Sequence, residues 1–388
     1  MSMESIELEK KWTGHHEHRE NRMRDIFEMM DQYGHEQIVF CRHPESGLKS
    51  IIAIHDTTLG PAIGGCRMIP YATTDEALED VLRLSKGMTY KCGLADVDFG
   101  GGKMVIIGDP EQEKSPIMFR ALGRFLSGLN GRFYTGTDMG TNPDDFVQAA
   151  RETESVVGLP TTHGGSGDTS IPTAFGILQG IRATAKHLWG STNLKDRRIA
   201  VQGVGKVGQK LVELLLNEGA YCVIADLNME KCNQLKEEFS PYVETADVNT
   251  IHRVECDIFS PCARGGIVND HTWSELQCRA IVGSANNQLV ADQHGDRLHE
   301  RGILYAPDYL VNAGGLIQVA DELIGYQQER VLAKTENIYH TLLEIYERSR
   351  NDDIPTYRAA DQIVLERLEQ VVDLRRILLG SPDGSRRG

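Results

Sequence analysis

A glycine pattern between a strand-like run and a helix-like run limits the fold more than any other feature. The segment GVGKVG at 203–208 follows the apolar run at 199–202 and precedes the amphipathic run at 209–216. In a GxGxxG pattern the first glycine makes a tight turn, the second lets phosphates approach, and the third lets helix and strand pack closely. Free N–H groups at the helix start then face the phosphates. The pattern predicts a dinucleotide-binding βαβ unit.

An acidic residue at the end of the next strand-like run indicates which dinucleotide is bound. Asp226 follows the apolar residues of YCVIAD. A carboxylate there accepts hydrogen bonds from the adenosine ribose and repels a 2′-phosphate, so NAD is favoured over NADP. The alternative is an α/β fold without a nucleotide, in which the acid only caps a helix. The expected contacts from the motif are Gly203, Val204, Gly205, Lys206, Val207, Gly208 and Asp226.

The chain divides into two regions that differ in their pattern of predicted strands and helices. From 199 onward, short apolar strands alternate with helical segments, which predicts an α/β fold with a parallel sheet. A length of 388 residues favours two domains, and the Gly- and Ser-rich stretch at 164–176 indicates a hinge between them. We predict an N-terminal α/β catalytic and oligomerisation domain over 1–150 and a Rossmann NAD-binding domain over 151–344. C-terminal helices at about 345–388 should pack back on the first domain.

Composition excludes several classes of function. The net charge of −15 argues against binding to nucleic acid or to an anionic membrane. The eight cysteines form no CxxC pair, which is typical of reduced thiols in a cytoplasmic protein. The sequence shows no apolar run long enough to span a bilayer and no signal peptide. His15, His16 and His18 lie close together, but we interpret them as a solvated arm, and no metal site is expected.

A second glycine-rich segment, VDFGGGK at 97–103, is not a phosphate loop. Such a loop needs a glycine at the position of Val97, a Ser or Thr at the position of Met104, and a following helix. Strand-forming residues at 104–107 follow instead. Glycine lets a backbone or a ligand come close, so Lys103 can face a small substrate. A solvated lysine in a tight turn is the alternative.

Two lysines and one carboxylate fall in the region before the hinge. Thr73 and Glu76 have capping-box spacing, so a helix should begin there; we place its end near Gly87, with Lys91 shortly after. Asp138 lies in a loop after a strand-like run. With a nicotinamide cofactor, this set suggests amino-acid oxidation. One lysine can hold the substrate carboxylate, and the other can act as a base if burial and a nearby cation favour its neutral form.

Over roughly residues 35–350 the sequence resembles the Glu/Leu/Phe/Val amino-acid dehydrogenases. The resemblance implies that Lys91 binds the substrate carboxylate, that Lys103 is the catalytic base, and that Asp138 exchanges a proton with the amine. Four further residues should contribute to the same substrate site, namely Gly64, Gly65, Asn286 and Asn287. The matching blocks are HDTTLGPAIGGCRM (55–68), EALEDVLRLSKGMTYKC (76–92), VDFGGGK (97–103), GRFYTGTDMGTN (131–142), GDTSIPTA (167–174), GSANNQL (283–289) and LYAPDYLVNAGGLIQVADEL (304–323).

The resemblance also implies a reaction. A hydride leaves Cα of an L-amino acid for NAD⁺, and neutral Lys103 takes a proton from water as the water attacks the iminium carbon. The carbinolamine then loses ammonia and leaves a 2-oxo acid, and the reverse direction is reductive amination. The implied cofactor contacts beyond the glycine motif are Leu227, Pro261, Cys262, Ala263, Ser284, Ala285, Asn286, Asp168 and Thr173.

The side-chain pocket implied by the resemblance is apolar. Ile63 stands where glutamate dehydrogenases carry a lysine, and an unpaired buried carboxylate would be costly there. Met88, Leu316 and Val319 fall at other pocket positions, and Gly136 leaves room for an aromatic ring. We therefore expect L-phenylalanine as substrate, with L-leucine as the alternative because apolar pockets discriminate poorly by size.

Two expectations concern assembly and class. The family is generally oligomeric, so a homo-oligomer is expected, with an octamer as one candidate. The alternative from another class is an NAD-binding sensor or scaffold. Loss of either lysine or of Asp138 would favour that alternative, but all three residues are present.

Overall fold

The computed structural model describes residues 25–375. Its N-terminal unit is built on a five-stranded mixed sheet of order β1-β2-β4-β3-β5. β2 pairs antiparallel with β1 and β4, whereas β3 pairs parallel with β4 and β5. The elements are α1 (Ile26–Tyr33), β1 (Gln37–His43), β2 (Leu48–Asp56), β3 (Ala62–Ile69), α2 (Thr74–Leu94), β4 (Gly100–Ile107), α3 (Pro116–Ser127), β5 (Phe133–Thr137) and α4 (Pro143–Ala149).

Helix α2 is longer than the sequence pattern predicts. Its start is as expected, because the Thr73 side chain accepts a hydrogen bond from the backbone N–H of Glu76. The predicted end near Gly87 is wrong: the helix continues for two more turns to Leu94, so Lys91 lies in its last turn. Gly87 is exposed and a Cβ there would meet nothing within 4 Å. The helix therefore tolerates this glycine at a modest cost in propensity.

The three glycines before Lys103 form the start of strand β4 rather than a loop. A Cβ on Gly101 would lie 2.1 Å from Thr89 Oγ1 and 2.3 Å from its backbone nitrogen. A Cβ on Gly102 would lie 2.7 Å from the Phe133 ring. Gly101 and Gly102 therefore let helix α2 and the Phe133 ring pack directly against β4.

The second unit contains a six-stranded sheet in which every pairing is parallel. The order is β11-β10-β9-β6-β7-β8, the doubly wound order of dinucleotide-binding sheets. The predicted α/β class is confirmed. The elements are α5 (Ser170–Trp189), β6 (Arg198–Gln202), α6 (Lys206–Asn217), β7 (Tyr221–Ala225), α7 (Met229–Glu238), β8 (Val243–Thr245), β9 (Ile258–Pro261), β10 (Ala280–Ile281), α8 (Asp292–Glu300) and β11 (Leu304–Tyr305).

Helices at the end of the described chain connect the two units. The Arg367 side chain donates a 2.7 Å hydrogen bond to the Gly93 carbonyl at the end of α2 and pairs with Asp96 at 2.8 Å. Val364 packs against Gly93 so closely that a Cβ on the glycine would lie 2.9 Å away. These helices are α9 (Asp308–Val311), α10 (Gly314–Glu322), α11 (Gln328–Glu336), α12 (Ile338–Asp352) and α13 (Thr356–Arg375).

One apolar core runs across both units. Ile63 and Cys92 of the first unit belong to the same buried cluster as Ile177 of α5 and Leu316 of α10. No helix within residues 25–375 is long and apolar enough to cross a membrane. The histidine-rich arm at 15–18 lies outside the described residues.

The contact between Gly101 and Thr89 predicts a selective loss of stability. Gly101→Ala should lower the free energy of unfolding by about 1–3 kcal/mol, because the added methyl group overpacks a full interior. Gly87→Ala, on the exposed face of α2, the helix that carries Thr89, should raise the free energy of unfolding by roughly 0.5–1 kcal/mol. Urea denaturation of both variants tests this, and equal stability of the two would contradict the packing described here.

Candidate active site

The two residues predicted to be catalytic are in contact. Lys103 lies in the middle of β4 and is only 6% exposed, whereas Asp138 directly follows β5. The Lys103 ammonium donates a hydrogen bond to the Asp138 carboxylate. Because residues two apart on a strand share a face, Lys103 is on the same side of β4 as Gly101, which faces α2. A partly buried ion pair of this kind holds both groups in fixed positions.

Arg67 is a member of this cluster that the sequence did not indicate. Its Nε lies 3.5 Å from Asp138 Oδ1, and its guanidinium also donates to Asp80 at 2.9 Å. Burial raises the pKa of Asp138, but Lys103 and Arg67 together outweigh burial, so the pKa lies below its usual value. Asp138 is therefore ionised at neutral pH and shared between two cations.

Lys91 faces the second unit from the last turn of α2. Its Nζ donates a 2.6 Å hydrogen bond to Oδ1 of Asn312, which directly follows α9. Burial lowers the pKa of Lys91 from 10.5 to about 8, partly opposed by the carboxylate of Asp308. Lys103 acts as a nearby like charge in the same direction as burial. Lys91 is thus a weakly solvated cation with few partners, which suits it to an anionic substrate group.

Asn312 joins this lysine to the predicted cofactor loop. Its Nδ2 donates to the Ser284 carbonyl at 3.1 Å and to Asn286 Oδ1 at 2.8 Å. Asn287 lies next to this loop but is exposed, and within the described chain the hydrogen-bond partner of Lys91 is Asn312. The role of Asn287 in substrate binding stays a prediction. Asn312 belongs to the quoted block 304–323, which was the only signal that could have identified it.

Gly64 and Gly65 of β3 lie beside the lysine–aspartate pair. A Cβ on Gly65 would lie 3.0 Å from Asp138 Cβ, and one on Gly64 would lie 1.8 Å from the Gly102 carbonyl oxygen. Met88 of α2 is 3.3 Å from that same position on Gly64. The two glycines therefore bring the strand backbone close to the charged cluster, where its amides are near the predicted substrate site.

The predicted apolar pocket residues come from three elements. Leu316 and Val319 lie on α10. Leu316 belongs to the core cluster that joins the units, and Val319 and Met88 pack against that cluster. Gly136 of β5 does not face open space, because a Cβ there would lie 2.6 Å from the Val157 carbonyl oxygen. The Val157 backbone fills the space beside Gly136, and the role of Gly136 in admitting an aromatic ring stays a prediction.

The glycine motif has the geometry of a phosphate-binding turn. Gly203 has φ = +94°, in the region that favours glycine, and a Cβ on Gly208 would lie 1.9 Å from the Gly203 carbonyl oxygen. Gly205 precedes the first turn of α6, and a Cβ there would meet nothing within 4 Å. Open space at a helix start fits the pyrophosphate of a dinucleotide. Lys206 is exposed beside this space, and Val207 is half-buried.

Asp226 lies where the ribose-binding carboxylate is predicted. Its Oδ2 accepts a 2.8 Å hydrogen bond from the backbone N–H of Val204, which ties it to the glycine turn. Leu227 beside it is exposed. The other predicted contacts lie at the same carboxyl edge of the sheet or nearby: Cys262 N–H donates to the Gln202 carbonyl at 2.7 Å, Ala285 N–H donates to the Pro261 carbonyl at 2.9 Å, and Ala263 approaches Gly203.

The start of α5 completes this edge. Asp168 lies 3.3 Å from Lys210 of α6, and the Thr173 hydroxyl donates to the Thr169 carbonyl at 2.8 Å. The residues predicted to bind the cofactor are thereby brought to one edge. No group of three or more His, Cys, Asp or Glu side chains placed to hold a metal ion occurs between residues 25 and 375.

Comparison with known families gives two matches that together span most of the chain. A model described as Glu/Leu/Phe/Val dehydrogenase, dimerisation domain, matches residues 35–155. One described as Glutamate/Leucine/Phenylalanine/Valine dehydrogenase matches residues 164–375.

Individual proteins are similar over nearly their whole length. Phenylalanine dehydrogenase from Thermoactinomyces intermedius is 68% identical, covering 94% of this chain and 100% of that protein. Leucine dehydrogenase from Bacillus cereus is 50% identical, covering 92% and 96%. The crystal structure of L-tryptophan dehydrogenase from Nostoc punctiforme has a TM-score of 0.81 at 42% identity, covering 90% of this chain and 100% of that one. The resemblance drawn from the sequence is confirmed.

The lowered pKa of Lys91 predicts a specific pH dependence of stability. The folded chain loses this proton near pH 8 and the unfolded chain near 10.5, so between these values the unfolded state binds more protons. The free energy of unfolding should therefore rise with pH in this window, by at most about 1.4 kcal/mol per pH unit.

Lys91→Met should remove this contribution, because it keeps the length of the side chain and removes the titrating group. Urea denaturation at several values between pH 7.5 and 10.5 measures the difference between the wild-type protein and the variant. Lys236→Met, at an exposed lysine of α7, is the control. A difference for Lys91→Met that does not change with pH would refute the assignment.

Proposed function

Because the chain belongs to the Glu/Leu/Phe/Val dehydrogenase family, we propose that it catalyses the NAD-dependent, reversible oxidative deamination of L-phenylalanine to phenylpyruvate and ammonia. The observation that carries this proposal is that Lys91, at the junction of the two units, lies close enough to the Lys103–Asp138 ion pair for their charges to interact. The high identity to phenylalanine dehydrogenases supports the choice of substrate.

Each charged group has one role in the proposed mechanism. Lys91, held by Asn312, binds the substrate carboxylate and orients Cα toward the nucleotide edge. NAD⁺ supplies the hydride acceptor when it is bound at the glycine turn. Asp138 receives the proton from the substrate ammonium, so that the nitrogen lone pair can form the C=N bond as the hydride leaves Cα. Lys103, after releasing its own ammonium proton to solvent, accepts a proton from the water that attacks the iminium carbon. Asp138, in contact with Lys103 throughout, then gives its proton to the carbinolamine nitrogen and takes the hydroxyl proton as the C–N bond breaks and ammonia leaves.

Arg67 and Lys91 add positive charge around the Lys103–Asp138 ion pair. Arg67 draws on the same Asp138 carboxylate that holds the Lys103 ammonium, so the carboxylate does not stabilise that ammonium alone. The positive charge on Lys91 acts on Lys103 from the side of α2. Asp138 therefore stays ionised between two cations, where it can take a proton from the substrate ammonium.

The proposed substrate is a large apolar amino acid. Ile63 is buried in the cluster that contains Leu316 and Val157, so no charged partner for a distal carboxylate is placed there. L-leucine is the second candidate, because leucine dehydrogenases are also about half identical to this chain. Initial rates on L-phenylalanine and L-leucine distinguish the two.

Assembly and location are part of the proposal. The match to a dimerisation domain over residues 35–155 supports a homo-oligomer, for which an octamer is the candidate to test by light scattering. Cytoplasmic location is proposed because all eight cysteines are free thiols, as expected in a reducing compartment.

Lys103→Ala should abolish nearly all deamination, by about 10²–10⁴-fold in kcat, because the proton acceptor is removed. Binding of NADH, followed by its fluorescence, should be unchanged. Lys114→Ala is a matched control, since Lys114 also pairs with an aspartate, Asp145, at 2.9 Å in the same unit. Ordinary turnover by Lys103→Ala would show that the lysine has no part in the chemistry.

Asp226→Ser should shift cofactor preference toward NADP. The carboxylate that would repel a 2′-phosphate is lost, and the ratio of kcat/KM for NADP to that for NAD should rise about tenfold, equivalent to ~1.4 kcal/mol. Steady-state kinetics with both cofactors measures the ratio. Equal or better efficiency of the wild-type protein with NADP would contradict the proposed NAD preference.

A further inference from the structure

The side-chain carboxylate of one residue, which is not among the predicted site residues, holds the segment between the two units. Glu322, the final residue of α10, accepts a 2.8 Å hydrogen bond from Gly158 N–H with one oxygen. Its other oxygen accepts from Ser166 N–H at 2.7 Å and from the Ser166 hydroxyl. One side chain therefore ties together both ends of the segment 158–166, which we call the crossover segment.

The position of Glu322 is unfavourable for a helix. A negative charge at the C-terminal end of a helix opposes the helix dipole. Within the described residues no lysine, arginine or histidine forms an ion pair with Glu322, and its partners are two backbone amides and a hydroxyl. Gln318, one turn earlier on α10, reinforces the contact by donating to the Ser166 hydroxyl at 2.9 Å and to its carbonyl at 3.1 Å. Local helix stability does not explain these contacts, whereas fixing the crossover segment does.

The crossover segment continues directly from Val157, which we take as part of the wall of the proposed pocket because it lies in the same buried cluster as Ile63 and Leu316. Val157 N–H donates to the Thr135 carbonyl at 2.9 Å, so the residue is attached to β5. Its own carbonyl is the group that a Cβ on Gly136 would meet at 2.6 Å. The next residue, Gly158, has φ = +71° and lies 3.9 Å, measured from its ideal Cβ position, from Val319 Cγ1. The wall is thus held between β5 on one side and α10 on the other.

We infer that Glu322 is a positioning residue for substrate specificity, which sets the distance between Val157 and the α10 side chains Leu316 and Val319. The inference rests on the proposed amino-acid dehydrogenase function and adds a determinant of side-chain size. Loss of the carboxylate frees the Gly158 and Ser166 amides, so the segment that follows Val157 can move away from α10 while Val157 stays paired with β5. The pocket then accepts bulkier side chains and contacts smaller ones less closely.

The test compares substrates of different size. Glu322→Gln keeps the volume but replaces one acceptor oxygen with an NH₂ group that faces a backbone N–H. The ratio of kcat/KM on L-tryptophan to that on L-leucine should rise about tenfold, the scale on which apolar pockets discriminate. Ser166→Ala removes the hydroxyl contacts with Glu322 and Gln318 but keeps the backbone contact with Glu322, and it should change the ratio in the same direction by less. KM for NAD should stay unchanged in both variants.

Glu336→Gln is the matched control, because Glu336 is the exposed final residue of the neighbouring helix α11. An unchanged ratio in Glu322→Gln and Ser166→Ala would overturn the inference, as would an equal fall in efficiency on every amino acid, which would indicate only a loss of folded protein. Absence of turnover of any amino acid by the wild-type protein would refute the proposed function itself, so the two failures are distinguishable.

Discussion

The close approach of helix α2 to strand β4 is the constraint on which the site depends. It exists because Gly101 carries no side chain where Thr89 packs. Lys103 follows Gly101 by two residues on the same face of the strand, and Lys91 lies two residues beyond Thr89 on the helix. A bulkier residue at 101 would push α2 away from β4 and so separate the two lysines, both of which the proposed mechanism uses. Glycine is used here for distance between elements rather than for unusual dihedral angles.

The charged groups form two clusters. Asp138 and Arg67 lie with Lys103 inside the first unit, whereas Lys91 reaches across to Asn312 and through it to the loop of Asn286. The hydrogen bonds of Lys91 therefore fix the first cluster relative to the proposed nucleotide-binding edge of the second unit. Because one apolar core also spans both units, packing as well as hydrogen bonding sets the distance between the two clusters.

Features that depend on neighbouring residues in the chain could be predicted. The glycine motif at 203–208 was recognisable because strand, turn and helix follow one another, and Thr73 was recognisable as a cap. The extension of α2 past Gly87 was not, because tertiary packing overrides a small propensity cost. Asn312 is 221 residues from Lys91, and Arg67 meets Asp138 only through the pairing of β3 with β5. Such contacts follow from topology, which local patterns do not specify.

The return of α13 to the end of α2 has a consequence for the order of events during synthesis. Within residues 25–375, the side-chain partner of the Gly93 carbonyl, two residues beyond Lys91, is Arg367. A nascent chain that still lacks this arginine can form the five-stranded sheet, but the surface of the last turn of α2 against which Val364 packs is still exposed to solvent. The end of α2 that carries Lys91 is therefore completed only after α13 has been synthesised, even if the N-terminal unit folds first.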